Sequence, residues 1–326
     1  MVYLIGAGPG DEGLITVRGL SLIRAADCIL YDSLINPRLL DSAPAHCRKI
    51  YVGKRAGCHS LPQQKINRIL VAQLRKYRVV VRLKGGDPFI FGRGAEEALY
   101  LAERGIEFEV VPGVSSATAV PAYAGIPLTH RDMASTVGFI TGQEAKDKDF
   151  SAINWAALAR GLDTMVFLMG LANLKTIIAR LRSAGCPSGM PAAVITSGAT
   201  SSQRTVSGTL EDILIRARRN KIVAPAIIVV GKVVGLRDRL SWFERRPLWG
   251  KRVVVTRAGH QAGALCLRLR ELGAEVVEAP VIRIISLRAD RQIKKALSSL
   301  NYRWVFFTSQ NGSTFPVLIL IFIIFN

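Results

Sequence analysis

Acidic residues are scarce in this chain. Across 326 residues, 24 Asp and Glu stand against 44 Lys and Arg, a formal net charge of +20. A surplus of that size points to nucleic acid or another anionic partner. Runs of Lys and Arg of the nucleic-acid type are nevertheless lacking. The densest cluster, Arg216-Ala217-Arg218-Arg219-Asn220-Lys221, suits the carboxyl end of a helix, where the backbone dipole favours cations. Cysteine is also sparse: five residues, odd in number and without a Cys-x-x-Cys pair. That excludes a disulfide framework and fits a reducing, cytoplasmic setting. His46-Cys47 and Cys58-His59 lack zinc-finger spacing, so no metal is expected. No secretory leader opens the chain, because Val2-Tyr3-Leu4-Ile5 runs directly into a glycine loop. No uninterrupted apolar run reaches the roughly 20 residues that a membrane span needs.

Two nucleotide signatures are absent as well. Gly6-Ala7-Gly8-Pro9-Gly10-Asp11 follows a short apolar strand but places Asp11 where the dinucleotide fingerprint has its third glycine. Pro9 also removes a backbone donor that a pyrophosphate would use. A nicotinamide enzyme is therefore disfavoured, and without Gly-x-x-x-x-Gly-Lys-Ser/Thr a P-loop is excluded.

What the sequence does carry is alternation. Strands are expected at 2–5, 28–31, 79–83, 108–111, 136–141, 164–168, 192–196 and 225–231, with helical segments between most of them. Such alternation argues an α/β architecture. Ser60-Leu61-Pro62-Gln63 has capping-box spacing ahead of a helix whose Ile66, Ile69, Leu70 and Leu74 form one apolar stripe. The β-branched run Val79-Val80-Val81-Arg82-Leu83 leads into Gly85-Gly86-Asp87-Pro88-Phe89-Ile90-Phe91-Gly92-Arg93-Gly94. A tight glycine turn at the carboxyl end of a strand is where open α/β sheets bind ligands. There Asp87 offers a fixed acceptor, and such a loop suits a small ligand bearing hydroxyls and a cation.

Five segments in this order resemble the tetrapyrrole methylases: Gly6 to Asp11, Tyr31-Asp32-Ser33-Leu34-Ile35, Val52-Gly53-Lys54-Arg55, Gly85 to Gly94, and Val111-Pro112-Gly113-Val114-Ser115-Ser116. Within that family, Gly125-Ile126-Pro127-Leu128-Thr129-His130-Arg131 and Gln203-Arg204-Thr205 are similar to the enzymes that methylate uroporphyrinogen III. The resemblance covers residues 1 to about 245. It implies a two-lobed α/β fold, with lobes at about 1–113 and 136–246, a link at about 114–135, and a cofactor cleft between the lobes. The implied activity is S-adenosylmethionine-dependent conversion of uroporphyrinogen III to precorrin-2 by two methylations, in a homodimer. An eight-carboxylate tetrapyrrole is itself an anionic partner for the basic surplus, so charge alone does not choose between it and nucleic acid; the motifs do. A later cobalamin-pathway precorrin methylase, or a basic nucleic-acid-binding α/β protein, are the alternatives.

Residue by residue, the resemblance makes Asp32 a proton acceptor and Lys54 a proton donor. Read without it, Asp32 is equally a turn aspartate, and Lys54 a cation that pairs with a substrate carboxylate. The cofactor positions implied are Pro9, Gly85, Gly86, Asp87, Ile90, Ser115, Ser116, Met169 and Gly198. Two positions depart from the pattern: Gln143, where histidine is commoner, and Lys232, where glutamate is commoner.

A further segment begins after Arg246-Pro247. A strand at Val253-Val254-Val255, a helix near 261–272 ending at Gly273, and a strand at Glu275 to Glu278 resemble the opening of uroporphyrinogen-III synthase, with the resemblance running to about 315. This partial synthase-like segment is expected to lack synthase activity. Residues 316–326, Pro-Val-Leu-Ile-Leu-Ile-Phe-Ile-Ile-Phe-Asn, are apolar without period, match nothing in the synthase and read as a frameshift or truncation. An uncharged Ile- and Phe-rich segment of this kind is also a β-aggregation hazard.

Overall fold

A computed structural model of the chain describes residues 1–53, 62–143 and 153–282. Ser60, Lys54, Cys58 and His59, the synthase-like segment beyond 282 and the apolar tail lie outside the described residues. Among the described residues two compact units are present, one of residues 1–251 with 272–275, the other of residues 252–271 with 276–282.

The first unit is built on two five-stranded sheets. In the amino-terminal lobe, β1 (Val2–Gly6), β2 (Cys28–Tyr31), β3 (Arg48–Tyr51), β4 (Val80–Lys84) and β5 (Phe108–Val111) lie in the order β3-β2-β4-β1-β5. Every pairing in this sheet is parallel, so the carboxyl ends of all its strands share one edge. The intervening helices are α1 (Val17–Arg24), α2 (Gln63–Leu74) and α3 (Gly94–Ala102). Thr16 caps α1 by accepting from the Gly19 N–H at 3.1 Å.

Both faces of this sheet are covered by apolar side chains. Ile5, Ile29, Val81 and Leu83 pack on one side with Ile23 and Leu39. Val2, Leu30 and Val80 pack on the other with Ile66, Leu70 and Leu101. A strand buried on both faces reads as a near-continuous apolar run, which is how β4 announces itself. Its Arg82 and Lys84 break that run while remaining 4% exposed.

In the second lobe, α4 (Ser116–Tyr123) precedes β6 (Val137–Thr141), α5 (Trp155–Gly161), β7 (Thr164–Leu168), α6 (Leu174–Ser183), β8 (Pro191–Thr196), β9 (Arg204–Thr209), α7 (Ile213–Arg219) and β10 (Ala226–Gly231). The sheet order is β6-β7-β10-β8-β9. β6 and β7 run parallel, whereas β10 is antiparallel to both β7 and β8, and β8 to β9. The segment expected to be a link thus holds a helix. Ala117, Val120 and Ala124 press it onto Val166, Leu168, Ile195 and Val229. A short helix, α8 (Arg237–Leu240), closes the lobe. The second unit holds β11 (Arg252–Val255), α9 (Gly259–Glu271) and most of β12 (Glu275–Glu278), the two strands pairing with each other. Among the described residues no helix is long and apolar enough to cross a membrane.

Candidate active site

Three strand-end loops of the first sheet converge at its carboxyl edge, and glycine permits the approach. Gly8 and Gly86 pair as an isolated bridge, Gly86 donating to the Gly8 carbonyl at 2.7 Å and Gly8 to the Gly86 carbonyl at 3.2 Å. A methyl group on Gly6 would sit 2.5 Å from Gly113 Cα and 2.6 Å from the Gly86 carbonyl oxygen. No residue with a side chain fits there. Gly86 itself has a φ of +67°, and the heavy atom nearest to a methyl group on it is Ser116 N at 3.6 Å. The backbone nitrogen of Ser116 at the start of α4 therefore lies next to Gly86, and Ser115 caps that helix by accepting from the Ala117 N–H.

Asp87 fastens this arrangement. Its Oδ1 accepts from the Phe89 N–H at 2.8 Å and its Oδ2 from the Gly113 N–H at 3.0 Å. The carboxylate expected to face a ligand thus spends one bond from each oxygen on the protein backbone. Ile90 follows in a loop whose Phe91 and Arg93 both take positive φ, at 52° and 58°. Arg93 grips Glu96 through two hydrogen bonds of 2.8 and 2.7 Å. That pairing holds the Glu96 carboxyl below its ordinary value.

Asp32 stands at the end of β2 beside the same edge. Its Oδ1 accepts from the Leu34 N–H at 3.0 Å, the bond of a turn aspartate, and its Oδ2 accepts from Arg82 Nη2 at 3.2 Å. Leu34 in turn lies against Gly85, where a methyl group would come within 2.7 Å of Leu34 Cβ. Behind Asp32 is a buried charge network. Glu97, fully buried on α3, accepts at Oε1 from Arg82 Nε at 3.2 Å, Lys84 Nζ at 3.0 Å and Gln63 Nε2 at 3.0 Å. Burial pushes the Lys84 ammonium below the ordinary lysine value; Arg82 adds to that push and Glu97 opposes it.

The second lobe meets these loops from the other side. Gly10 lies against the 198–200 loop, so that a methyl group on it would fall 2.8 Å from Thr200 Cγ2 and 3.0 Å from the Gly198 carbonyl. Gly198 is backed by Val120 of α4. In this loop Ser197 and Ala199 have positive φ, 50° and 57°. Gln203 holds it, accepting the Ala199 N–H at Oε1 and donating to Glu244 at 2.8 Å, and Glu244 also binds Thr205 and Arg237. Tyr123 ties the lobes by donating to Asp11 Oδ2 at 2.9 Å; burial, then the Asp11 charge, raises its hydroxyl well above the usual tyrosine value.

Met169 follows β7 with a φ of +56° and is 49% exposed. β7 and β8 flank β10 and pair with it so that Ile227 meets both Leu168 and Ile195. Their carboxyl ends thus bring Met169 to the same sheet edge as the 197–200 loop. Glycine backbone and the start of α4 thus lie at the carboxyl edge of the first sheet, and an exposed methionine at the carboxyl ends of β7 and β8 in the second.

Residues 1–214 match the sequence profile of the Tetrapyrrole (Corrin/Porphyrin) Methylases. The chain belongs to that family. Residues 264–318 match the profile of uroporphyrinogen-III synthase HemD. A Bacillus subtilis protein named uroporphyrinogen-III C-methyltransferase is 43% identical over 312 residues, which is 96% of this chain and 64% of the relative. The chain therefore spans less than two thirds of that relative's length. Among solved structures, a uroporphyrin-III C-methyl transferase from Thermus thermophilus complexed with S-adenyl homocysteine has a TM-score of 0.61 at 37% identity, covering 72% of this chain and 99% of that one. A cobalt precorrin-4 methyltransferase has a TM-score of 0.63 at 28% identity, covering 72% and 95%.

Of the residues singled out from sequence, Pro9, Gly85, Gly86, Asp87, Ser115, Ser116 and Gly198 lie on the converging loops, with Ile90 just beyond Asp87. Met169 is on the second sheet's edge, and Asp32 is beside Gly85 through Leu34. Lys54 lies outside the described residues. Gln143 and Lys232, the two departures from the methylase pattern, are both exposed. Sequence reading missed the Arg82–Glu97–Lys84 network, the Asp11–Tyr123 tie and the Gln203–Glu244 brace. The first had a signal: Arg82 and Lys84 alternate on one face of an otherwise apolar strand, and buried charges need partners.

Proposed function

We propose that this tetrapyrrole methylase is an S-adenosylmethionine-dependent C-methyltransferase that converts uroporphyrinogen III to precorrin-2 by two successive methylations. The observation that carries the reading is the convergence of the Gly8, Gly86 and Gly113 loops at one sheet edge, with the 198–200 loop of the second lobe against Gly10. The likeness to a Thermus thermophilus structure complexed with S-adenyl homocysteine supports it. When bound, S-adenosylmethionine supplies an electrophilic methyl group, which an electron-rich pyrrole carbon can take without metal help.

The protein's part is alignment and proton handling. Gly85, Gly86 and Pro9 let backbone approach the cofactor, and Asp87 fixes that loop. Ser115 and Ser116 present helix N–H groups, Ile90 and Met169 supply apolar contact, and Gly198 closes the cleft from the second lobe. In a methyl transfer from the sulfonium to a pyrrole carbon, the carbon–sulfur bonding pair would return to sulfur, and Asp32 would accept the proton that the ring system sheds. Lys54 pairs with a substrate carboxylate in preference to donating a proton. The protein works as a cytoplasmic homodimer without metal, and neither nucleic acid nor membrane is a partner.

The likeness to a cobalt precorrin-4 methyltransferase favours one other reading, a methylase acting later in cobalamin synthesis. Incubation of the purified chain with methyl-labelled S-adenosylmethionine separates the two. Label entering uroporphyrinogen III supports the proposal, and label entering only an already methylated precorrin sinks it.

A further inference from the structure

Two cations, Arg82 and Lys84, sit on the same face of β4, 4% exposed, with one carboxylate between them. Glu97 gives both its charge and one oxygen to the pair: Oε1 accepts from Arg82 Nε, Lys84 Nζ and Gln63 Nε2, while Oε2 is buried and receives no hydrogen bond among the described residues. Arg82 is further fixed by donating from Nη1 to the Leu83 carbonyl at 2.9 Å, which leaves Nη2 aimed at Asp32 Oδ2. Asp32 therefore meets a guanidinium whose other nitrogens are already committed deeper in the protein.

Resting on the functional reading above, we infer that Glu97 is a positioning residue for the methyl transfer: it balances the Arg82 and Lys84 charges and locks the guanidinium that orients Asp32. An ion cluster of this kind is a weak source of stability, because desolvating the charges offsets their attraction. Its position beneath a candidate proton acceptor favours a positional use. Groups facing the cluster come from every neighbouring element. Asp32 lies at the end of β2, Arg82 and Lys84 on β4, Gln63 and Asn67 on α2, and Glu96, Glu97 and the preceding Arg93 at the start of α3. Glu96 is engaged by Arg93, which leaves Glu97 as the carboxylate bonded to Lys84.

The test uses the full chain, with Glu97→Gln, Asp32→Asn and the charge-balanced Lys84→Met/Glu97→Gln double variant. Glu97→Gln is expected to lower kcat by roughly 10- to 100-fold, part of what a well-placed acid–base group contributes, with KM for both substrates within about twofold of wild type. The double variant keeps an amide acceptor for Arg82 and removes one charge of each sign. It is expected to regain most of the lost kcat, and it carries the test if Glu97→Gln fails to fold. Independently of activity, NMR titration of the Lys84 side chain, assigned with Lys84→Met, should show its midpoint falling further in Glu97→Gln. An unchanged kcat and Lys84 midpoint in Glu97→Gln overturns the inference. So does a folded double variant as inactive as Asp32→Asn. Full activity in Asp32→Asn instead refutes the role given to Asp32, a distinct failure.

Discussion

Replacing Asp87 by alanine tests how the cleft is held open for its ligand. The carboxylate makes two hydrogen bonds to backbone N–H groups, 2.8 Å to Phe89 and 3.0 Å to Gly113. Bonds to a charged acceptor contribute about 1.5–3 kcal/mol each, and partial exposure here argues for the lower end, or about 3 kcal/mol for the pair. That loss divides between fold and binding. If the loop stays attached through the Gly8–Gly86 bridge but becomes mobile, binding must re-order it. Affinity for S-adenosylhomocysteine then falls by up to about 100-fold, at 1.4 kcal/mol per factor of ten. If the loss falls on the folded state instead, Tm drops by about 6–12 °C, at 2–4 °C per kcal/mol for a domain of this size. Asp87→Asn keeps one acceptor oxygen and should lose about half as much. Calorimetry with S-adenosylhomocysteine and thermal melts on the same samples measure both shares. An alanine variant with wild-type Kd and wild-type Tm refutes the reasoning.

Other perturbations separate the remaining claims. Lys54→Arg should keep much of the activity if Lys54 pairs with a substrate carboxylate, since the charge survives; an Arg variant as inactive as Lys54→Met refutes pairing. Ending the chain after Arg246 should leave methylation intact, because Glu244 still braces Gln203 and Thr205, whereas ending it after Leu240 should abolish it; equal activity in both chains contradicts the brace. The Asp163 carboxyl is held below its ordinary 3.8 first by the Ser135 N–H and then by the Thr136 hydroxyl and N–H. A depressed folded value stabilises above the unfolded value and is lost as pH falls through the folded one. Asp163→Asn should therefore lower Tm at neutral pH and flatten its decline at acid pH, and parallel Tm–pH curves would contradict this.

How far the sequence reveals this molecule depends on where each residue sits in its sheet. β4, β7 and β8 are apolar runs buried on both faces, so composition alone exposes them. β3 and β9 escape that reading because they are polar edge strands, unlike the more apolar edge strands β5 and β6. Arg48 and Lys49 face solvent, and Arg204-Thr205-Val206-Ser207-Gly208-Thr209 has no apolar run at all. α4 hides for another reason, since its alanines and internal Pro121 give almost no amphipathic contrast. Within the site, the glycines are legible because close backbone approach admits no other residue. Asp87 is legible as an acceptor, yet its partner Gly113 stands 26 residues away, and no local pattern announces that bond. Glu97 is more hidden still, a helix glutamate that reads as solvated until α3 is packed on β4.

The count of methyl groups delivered to one tetrapyrrole bears most directly on the account. Purified chain, uroporphyrinogen III and excess S-adenosylmethionine should yield a product two methyl groups heavier by mass spectrometry, with two S-adenosylhomocysteine released per tetrapyrrole. A tetrapyrrole recovered without added methyl, from a protein shown to bind S-adenosylhomocysteine, would contradict it.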